Sequence, residues 1–71
     1  MITFTGSSAF NGAVYFEKTK KLIVEYSTGT VYQYSDIEFS EVAKLASDSK
    51  GSELHKIIQG KTVTLLWQHL Y

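Results

Sequence analysis

The segment from Leu22 to Tyr34, LIVEYSTGTVYQY, constrains the fold of this chain more than any other. Apolar and aromatic residues occupy every second position on both sides of Thr28-Gly29. Residues two apart lie on the same face of a β-strand, so this period predicts two strands with distinct faces. Gly29 can adopt the positive φ that a two-residue connection needs. The segment therefore predicts a β-hairpin, one face of which carries Leu22, Val24, Tyr26, Tyr32 and Tyr34.

Two further strand-forming stretches precede this hairpin. Residues 1–5 (MITFT) and 13–17 (AVYFE) are rich in β-branched and aromatic side chains. Between them, the Asn11-Gly12 pair predicts a turn, and residues 18–20 (KTK) predict a charged hairpin tip. The strand at 13–17 and the two strands of the hairpin are thus predicted to form a three-stranded meander.

After Asp36 the hydrophobic period changes to that of a helix. The first helical stripe consists of Phe39, Val42, Ala43 and Ala46, at positions i, i+3, i+4 and i+7. Ser35 and Glu38 have the spacing of a capping box, which predicts the start of this helix.

A second short helix is predicted between Ser49, as N-cap, and Gly60, as the stop. Leu54, Ile57 and Ile58 would share one of its faces. We therefore expect one α+β domain over residues 1–71, a small antiparallel meander of three to five strands with two short helices packed on one face.

The last eleven residues, KTVTLLWQHLY, fit two interpretations. Alternation through Val63, Leu65 and Trp67 is typical of a strand, whereas the leucines and His69 also fit one or two helical turns. The β-prone start at residues 62–64 favours the strand. We expect this C-terminal strand to pair with the N-terminal strand and close the sheet.

Charge and composition narrow the function classes. Seven lysines balance seven acidic residues, and the chain has neither arginine nor cysteine. Arginine provides the planar fork that binds phosphate and guanine, so its absence, with a net charge of zero, argues against strong nonspecific binding of nucleic acids. No apolar run is long enough to cross a membrane, and the start lacks a signal-peptide pattern. We expect a soluble cytoplasmic protein with no membrane partner.

Several spaced features together resemble the KTSC domain, a family named for its occurrence at the C-terminus of some lysyl-tRNA synthetases and also found in short bacterial and phage proteins. The features are Ser7-Ser8, the LIVEY strand at 22–26, Gly29, the Y-x-Y of Tyr32 and Tyr34, Ile37, Ser49-Lys50-Gly51 and Ile57-Ile58. The resemblance covers roughly residues 7–60. It implies a small β-meander followed by helices and, largely from the synthetase context, RNA binding. The chain departs from the family pattern at Gln59, where many members have a basic residue, and at His55, where asparagine is common.

Six lysines are the candidate contacts to a nucleic acid. They are Lys18, Lys20 and Lys21 at the predicted hairpin tip, and Lys50, Lys56 and Lys61 along the second helix and its exit. If the fold brings them together, they form a phosphate-binding patch. If they stay mixed with neighbouring acids such as Glu17 and Glu53, they are solvated surface.

Tyr32 and Tyr34 also have two interpretations. On an open face of the sheet they would stack on unpaired bases, whereas under the helices they would belong to the core with their hydroxyls at its rim. The core interpretation is favoured, because Leu22, Val24 and Tyr26 share the same face.

A protein interface is predicted on other residues. Ile23 and Val31 should lie on the opposite face of the sheet, where they would form an apolar patch if nothing covers them. Trp67 is either part of the core or an aromatic interface anchor, and we expect it to dock into the core.

No combination of residues predicts catalysis or metal binding. Ser7-Ser8 with His55 or His69 would need an orienting group and an oxyanion hole, and no motif supplies them. Two histidines without a cysteine do not predict a metal site. We therefore expect a non-enzymatic binding module without a cofactor. The resemblance favours RNA, whereas the charge balance favours the alternative, a protein partner or self-association, for example in a phage-encoded inhibitor of a host or defence protein.

Overall fold

A computed structural model describes residues 1–5, 10–46 and 50–68, with the backbone alone at positions 46, 50 and 51. The strands are β1 (Ile2–Phe4), β2 (Phe10–Phe16), β3 (Lys21–Tyr26), β4 (Val31–Tyr34) and β5 (Val63–Trp67), and the helices are α1 (Phe39–Val42) and α2 (Lys50–Ile58). The strands form one antiparallel sheet in sequence order. This arrangement confirms the predicted α+β fold.

The hairpin that joins β3 to β4 contains the expected glycine in a longer loop. Gly29 has a φ of 90°. Its N–H donates to the Tyr26 carbonyl over 2.8 Å, and the Tyr26 N–H donates to the Thr30 carbonyl over 2.9 Å. The loop therefore spans residues 27–30, so the prediction of a two-residue connection was wrong in length.

The Asn11-Gly12 pair lies inside β2, so the predicted turn at this position was wrong. Phe10 pairs with Tyr26 and Gly12 pairs with Glu25, which leaves Asn11 as the extra residue of a β-bulge. The Asn11 amide donates to the Glu25 carboxylate over 3.0 Å and to the Tyr26 carbonyl over 3.3 Å. These side-chain bonds hold the irregular pair together, which allows the strand to continue through a turn-prone dipeptide.

One hydrophobic core lies between the sheet and the helical segment. Its buried members are Phe10, Ala13, Tyr15, Leu22, Val24 and Tyr34 from the sheet, with Ile37, Val42, Leu45, Leu54 and Ile57 opposite them. All six sheet residues point to the same face. The Tyr15 hydroxyl donates to the Ile37 carbonyl over 2.7 Å, which ties the sheet to the segment that enters α1.

The first helix is shorter than its sequence stripe predicts, and it begins later than the predicted capping box would place it. It is one turn long, continues as a 3₁₀ helix over Ala43–Ala46, and buries Val42 and Leu45 while Phe39 stays 53% exposed. Its capping box consists of Glu38 and Glu41, not of Ser35 and Glu38. The reason is that the Ser35 N–H still extends the sheet, donating to the Thr62 carbonyl over 3.0 Å.

The second helix agrees with its prediction. Leu54 and Ile57 are buried and Ile58, the last residue of α2, is half-buried. Gly60 has a φ of 75°, and the Lys61 N–H donates back to the Ile58 carbonyl over 3.2 Å. The predicted N-cap at residue 49 lies outside the described residues.

The C-terminal segment forms a strand, as expected, but at a different place in the sheet. Tyr34 pairs with Val63 and Tyr32 pairs with Leu65, so β5 lies beside β4 and not beside β1. The turn at Gly60 directs the chain back along β4 at once, which leaves β1 at the far side. The sheet is therefore open, and its two edges are β1 and β5. No helix within the described residues is long and apolar enough to span a membrane.

Candidate functional site: the lysines and the C-terminal edge strand

Two of the candidate lysines bind the acids that cap α1. The Lys20 ammonium lies 2.9 Å from the Glu38 carboxylate, and this hydrogen bond raises the pKa of Lys20. The Lys61 ammonium lies 3.0 Å from the Glu41 carboxylate and donates to the Asp36 carbonyl over 3.1 Å. Both lysines therefore form ion pairs at the junction between the sheet and α1.

The Glu41 carboxylate has a perturbed titration because of these contacts. Its burial raises the pKa, but the hydrogen bonds from the Glu38 N–H and from Lys61 outweigh burial, so the pKa of Glu41 is lowered. Lys61 keeps 23% of its side chain exposed and Glu41 keeps 28%. The pair is thus a partly buried structural contact, which leaves Lys61 little freedom to bind a phosphate.

Of the remaining candidate lysines, one more is paired with an acid. The Lys56 ammonium lies 3.7 Å from the Glu53 carboxylate on the same helix. Lys18 and Lys21 stay together at the β2–β3 hairpin without an ion pair to any described residue, and the side chain of Lys50 lies outside the described part. Half of the six predicted contacts are consequently neutralised by an acid.

The two tyrosines of the Y-x-Y motif lie on the helix-covered face of the sheet. Tyr34 is 6% exposed and Tyr32 packs half-buried against the core. The hydroxyls of Tyr26 and Tyr34 are hydrogen-bonded over 2.6 Å, and the rings of Tyr26 and Tyr32 meet edge to face at 5.9 Å. Burial and this hydrogen bond raise the pKa of Tyr26. The core interpretation is confirmed for Tyr34, whereas Tyr32 packs against the core and stays partly exposed.

The opposite face of the sheet has no described helix over it and carries the two other predicted interface residues. One row across this face runs Thr3, Val14, Ile23, Gln33 and Thr64. Ile23 and Val31 both lie on this face, Ile23 opposite Gln33 and Val31 opposite Glu25, and both are half-buried. Their predicted location is therefore correct, although they expose less apolar surface than the adjacent edge strand.

The edge strand β5 is the most exposed apolar element among the described residues. We name its four large apolar side chains the β5 surface: Val63 (51% exposed), Leu65 (50%), Leu66 (47%) and Trp67 (53%). Thr64 is exposed too, and no residue of the strand is charged. Of these residues, only Trp67 was predicted as an interface residue. Four large apolar residues in one five-residue strand were the sequence signal for the others.

A β-bulge divides the β5 surface between the two faces of the sheet. Tyr32 pairs with Leu65 and Val31 pairs with Trp67, so Leu66 is the extra residue. Val63 and Leu65 lie on the helix-covered side, beyond the reach of the helices, and Trp67 lies on the opposite side, next to Val31. Trp67 does not dock into the core, so that prediction was wrong. The reason is the bulge, which places Trp67 opposite Val31 on the face that no described helix covers.

Of the residues considered for catalysis, only His55 lies in the described part of the chain. The His55 ring lies 3.1 Å from the Gln59 amide, one turn along the exposed side of α2. Ser7-Ser8 and His69 lie outside the described residues. No group of three histidine, cysteine or acidic side chains is positioned to hold a metal ion within those residues.

Comparison of the sequence with known protein families identifies the family of this domain. The KTSC domain family profile matches residues 6–61, which include the Y-x-Y strand, both helices and the Gly60 turn. The match ends before β5, so the β5 surface lies beyond the part of the chain that the family shares. No curated protein matches the chain. Because the match covers most of its length, the chain belongs to the KTSC domain family.

Proposed function

We propose that the chain is a non-enzymatic protein-interaction module that contacts its partner through the β5 surface. The observation that carries this proposal is the exposure of β5 over all five of its residues, four of which are large and apolar. Exposed apolar patches with an aromatic anchor mark protein contacts, because burial against a partner removes them from water. Ile23 and Val31 extend the surface across the uncovered face of the sheet.

The lysines support this partner class over RNA. Phosphate binding draws its strength from cations that can release counterions to a polyanion. Lys20, Lys56 and Lys61 already pair with acids, and the chain as a whole carries no net charge. Among the candidate lysines whose side chains the structure describes, Lys18 and Lys21 are left without an ion pair, and two cations at one hairpin are few for a patch that tracks a nucleic-acid backbone.

The tyrosines give a second reason. Sheet proteins that bind single-stranded RNA stack bases on exposed aromatic rings. Tyr34 and Tyr32 are instead packed under the helices, and the exposed aromatic ring of β5, Trp67, stands on a strand without a charged residue. An aromatic residue in such surroundings suits an apolar contact better than a nucleotide.

The test is a pull-down from cell lysate with matched variants and with or without ribonuclease. Leu65→Lys places a charge at the centre of the β5 surface, whereas Phe39→Lys places it on α1 at a residue of similar exposure (53% against 50%). The captured protein should survive ribonuclease and the Phe39→Lys change, and should be lost with Leu65→Lys.

The RNA alternative makes the opposite prediction. Ribonuclease would remove the captured material, Lys18→Glu with Lys21→Glu would weaken it, and Leu65→Lys would leave it unchanged. Direct binding to RNA that falls steeply with salt would then replace the β5 surface as the functional site.

A further inference from the structure

The two edges of the sheet are unequal. β1 has three residues, whereas β5 has five, without a charge or a proline. Natural sheets protect a free edge by shortness, charged side chains or proline, because unpaired backbone groups there recruit another strand. β1 has the first protection. β5 is neither short nor charged and contains no proline, although the bulge after Leu65 interrupts the regular strand near its C-terminal end.

We propose that the occupant of this edge is a second copy of the chain, paired through β5 antiparallel to β5 about a two-fold axis at Thr64. The proposal rests on the proposed function, since it names the partner for the same surface. Antiparallel pairing of one strand with itself produces a closed, symmetric dimer, whose sheet of ten strands would end at the two short β1 strands.

The faces of the strand match in this register. The bulge starts after Leu65, so the regular part of the strand is centred on Thr64. With Thr64 opposite its own copy, Val63 lies opposite Leu65 of the second copy on the helix-covered side. Cross-strand aliphatic pairs and threonine pairs both stabilise antiparallel sheets. A two-fold axis perpendicular to the sheet also leaves the helices of both copies on one side, so the aliphatic pairs fill the seam between them.

Charge favours a second copy as the occupant. A symmetric interface places each residue near its own equivalent, so a charged strand would repel itself. β5 carries no charge, and the whole chain has a net charge of zero. The β5 surface offers an apolar area on the order of 400 Å² per copy, below the roughly 800 Å² of a standard stable interface. We therefore expect a weak dimer that dissociates on dilution.

The first measurement is the mass in solution by sedimentation over a range of concentrations. The purified chain should shift from 8.0 kDa toward twice that mass as its concentration rises. Leu65→Lys should weaken the dimer by about tenfold or more, because two like charges then lie near the axis. Phe39→Lys, on the helix, should leave it unchanged. A wild type that stays monomeric, or equal dimerisation of Leu65→Lys, would overturn the proposal.

A second measurement decides the register even if Leu65→Lys does not fold. The chain has no cysteine, so Thr64→Cys and Thr3→Cys each introduce one thiol. The two threonines are both exposed and stand at opposite ends of the same row across the sheet, Thr3 at the centre of β1 and Thr64 at the centre of the regular part of β5. Opposite Cβ atoms in an antiparallel pair lie about 5 Å apart. A short thiol cross-linker should join Thr64→Cys copies at least about tenfold faster than Thr3→Cys copies. Equal rates would overturn the proposal.

These outcomes separate the inference from the function on which it rests. A monomeric chain that still captures a different protein through Leu65 overturns self-pairing and leaves the interaction module in place. A chain that dimerises through β5 and captures nothing else supports self-pairing.

Discussion

The centre of the sheet and its C-terminal edge have similar apolar sequences but differ in solvent exposure. Leu22 and Val24 of β3 are completely buried, whereas Val63 and Leu65 of β5 are half exposed, although all four lie on the same face of one sheet. The difference arises from coverage. The buried core that the sheet forms with the helical segment includes residues of β2 to β4 and none of β5; the members from the helical segment are Ile37, Val42, Leu45, Leu54 and Ile57.

This comparison separates two roles for apolar residues in a small domain. Residues under the helices hold the fold together, because their burial is the main stabilising contribution in a chain of this size. Residues of β5 add backbone pairing to β4 but keep their apolar side chains in water. Substitutions in the two regions should therefore affect different properties, and four predictions test that separation.

The largest expected effect is in the centre. Leu22→Ala should lower the free energy of unfolding by about 2–5 kcal/mol, because it leaves a cavity beside Val24 and Tyr34. Leu65→Ala removes the same atoms at the edge and should cost less than about 1 kcal/mol, because the site is open to solvent. Urea denaturation of both variants checks the comparison, and equal losses would mean that β5 is covered.

The next effect concerns the bond that joins sheet and helical segment. Tyr15→Phe removes the hydroxyl that donates to the Ile37 carbonyl over 2.7 Å and should lower the free energy of unfolding by about 1–3 kcal/mol, since the carbonyl remains buried without that donor. Tyr32→Phe is the matched control, because the Tyr32 hydroxyl makes no hydrogen bond to the rest of the described chain. A loss of unfolding free energy that is smaller for Tyr15→Phe than for Tyr32→Phe would contradict a stabilising role for the Tyr15–Ile37 hydrogen bond.

A third, smaller effect depends on pH. The pKa of Glu41 is lowered in the folded chain. The Glu41–Lys61 pair therefore stabilises the folded chain at pH values above 4.5, the ordinary pKa of the carboxyl group. This stabilisation is lost as the pH falls through the lowered pKa of the folded state. Lys61→Met should cost about 1 kcal/mol at neutral pH and less in acid. Lys18→Met is the control, because Lys18 forms no ion pair with any residue that the structure describes. If Lys61→Met lowers the free energy of unfolding equally at neutral and acid pH, the Glu41–Lys61 ion pair is not the source of that loss.

The smallest expected effect on stability is at the proposed contact. Leu65→Lys should change the free energy of unfolding by no more than about 0.5 kcal/mol in dilute solution, where no partner covers β5, because the lysine stem can follow the surface with its charge in water. Thermal unfolding measured at low concentration checks this, beside Phe39→Lys. A loss as large as that of Leu22→Ala would instead assign Leu65 to the core.

Much of the fold could be predicted from local pattern. The period of β3 and β4, the glycine at residue 29 and the stripe of α2 are local signals, and each agrees with the structure. The errors depend on non-local contacts: Ser35 continues the sheet through Thr62, Asn11 forms a bulge through Glu25, and β5 pairs with β4. None of these partners can be identified from spacing along the chain.

The candidate site was harder to predict for the same reason. Alternation in β5 predicts a strand with two faces but does not say whether a helix lies over either of them. Pairing of Lys20 with Glu38 and of Lys61 with Glu41 joins residues 18 and 20 positions apart. A count of lysines therefore predicts more free positive charge than the folded chain presents.

Amide hydrogen exchange on the intact chain tests most directly whether β5, and not the lysine hairpin, is the contact surface. It would be measured at low and high protein concentration and, separately, with single-stranded RNA. We predict that protection of Val63–Trp67 rises with concentration while β1 and residues 17–21 stay unchanged, and that RNA protects nothing. Protection of residues 17–21 by RNA, with β5 unchanged at every concentration, would contradict the assignment.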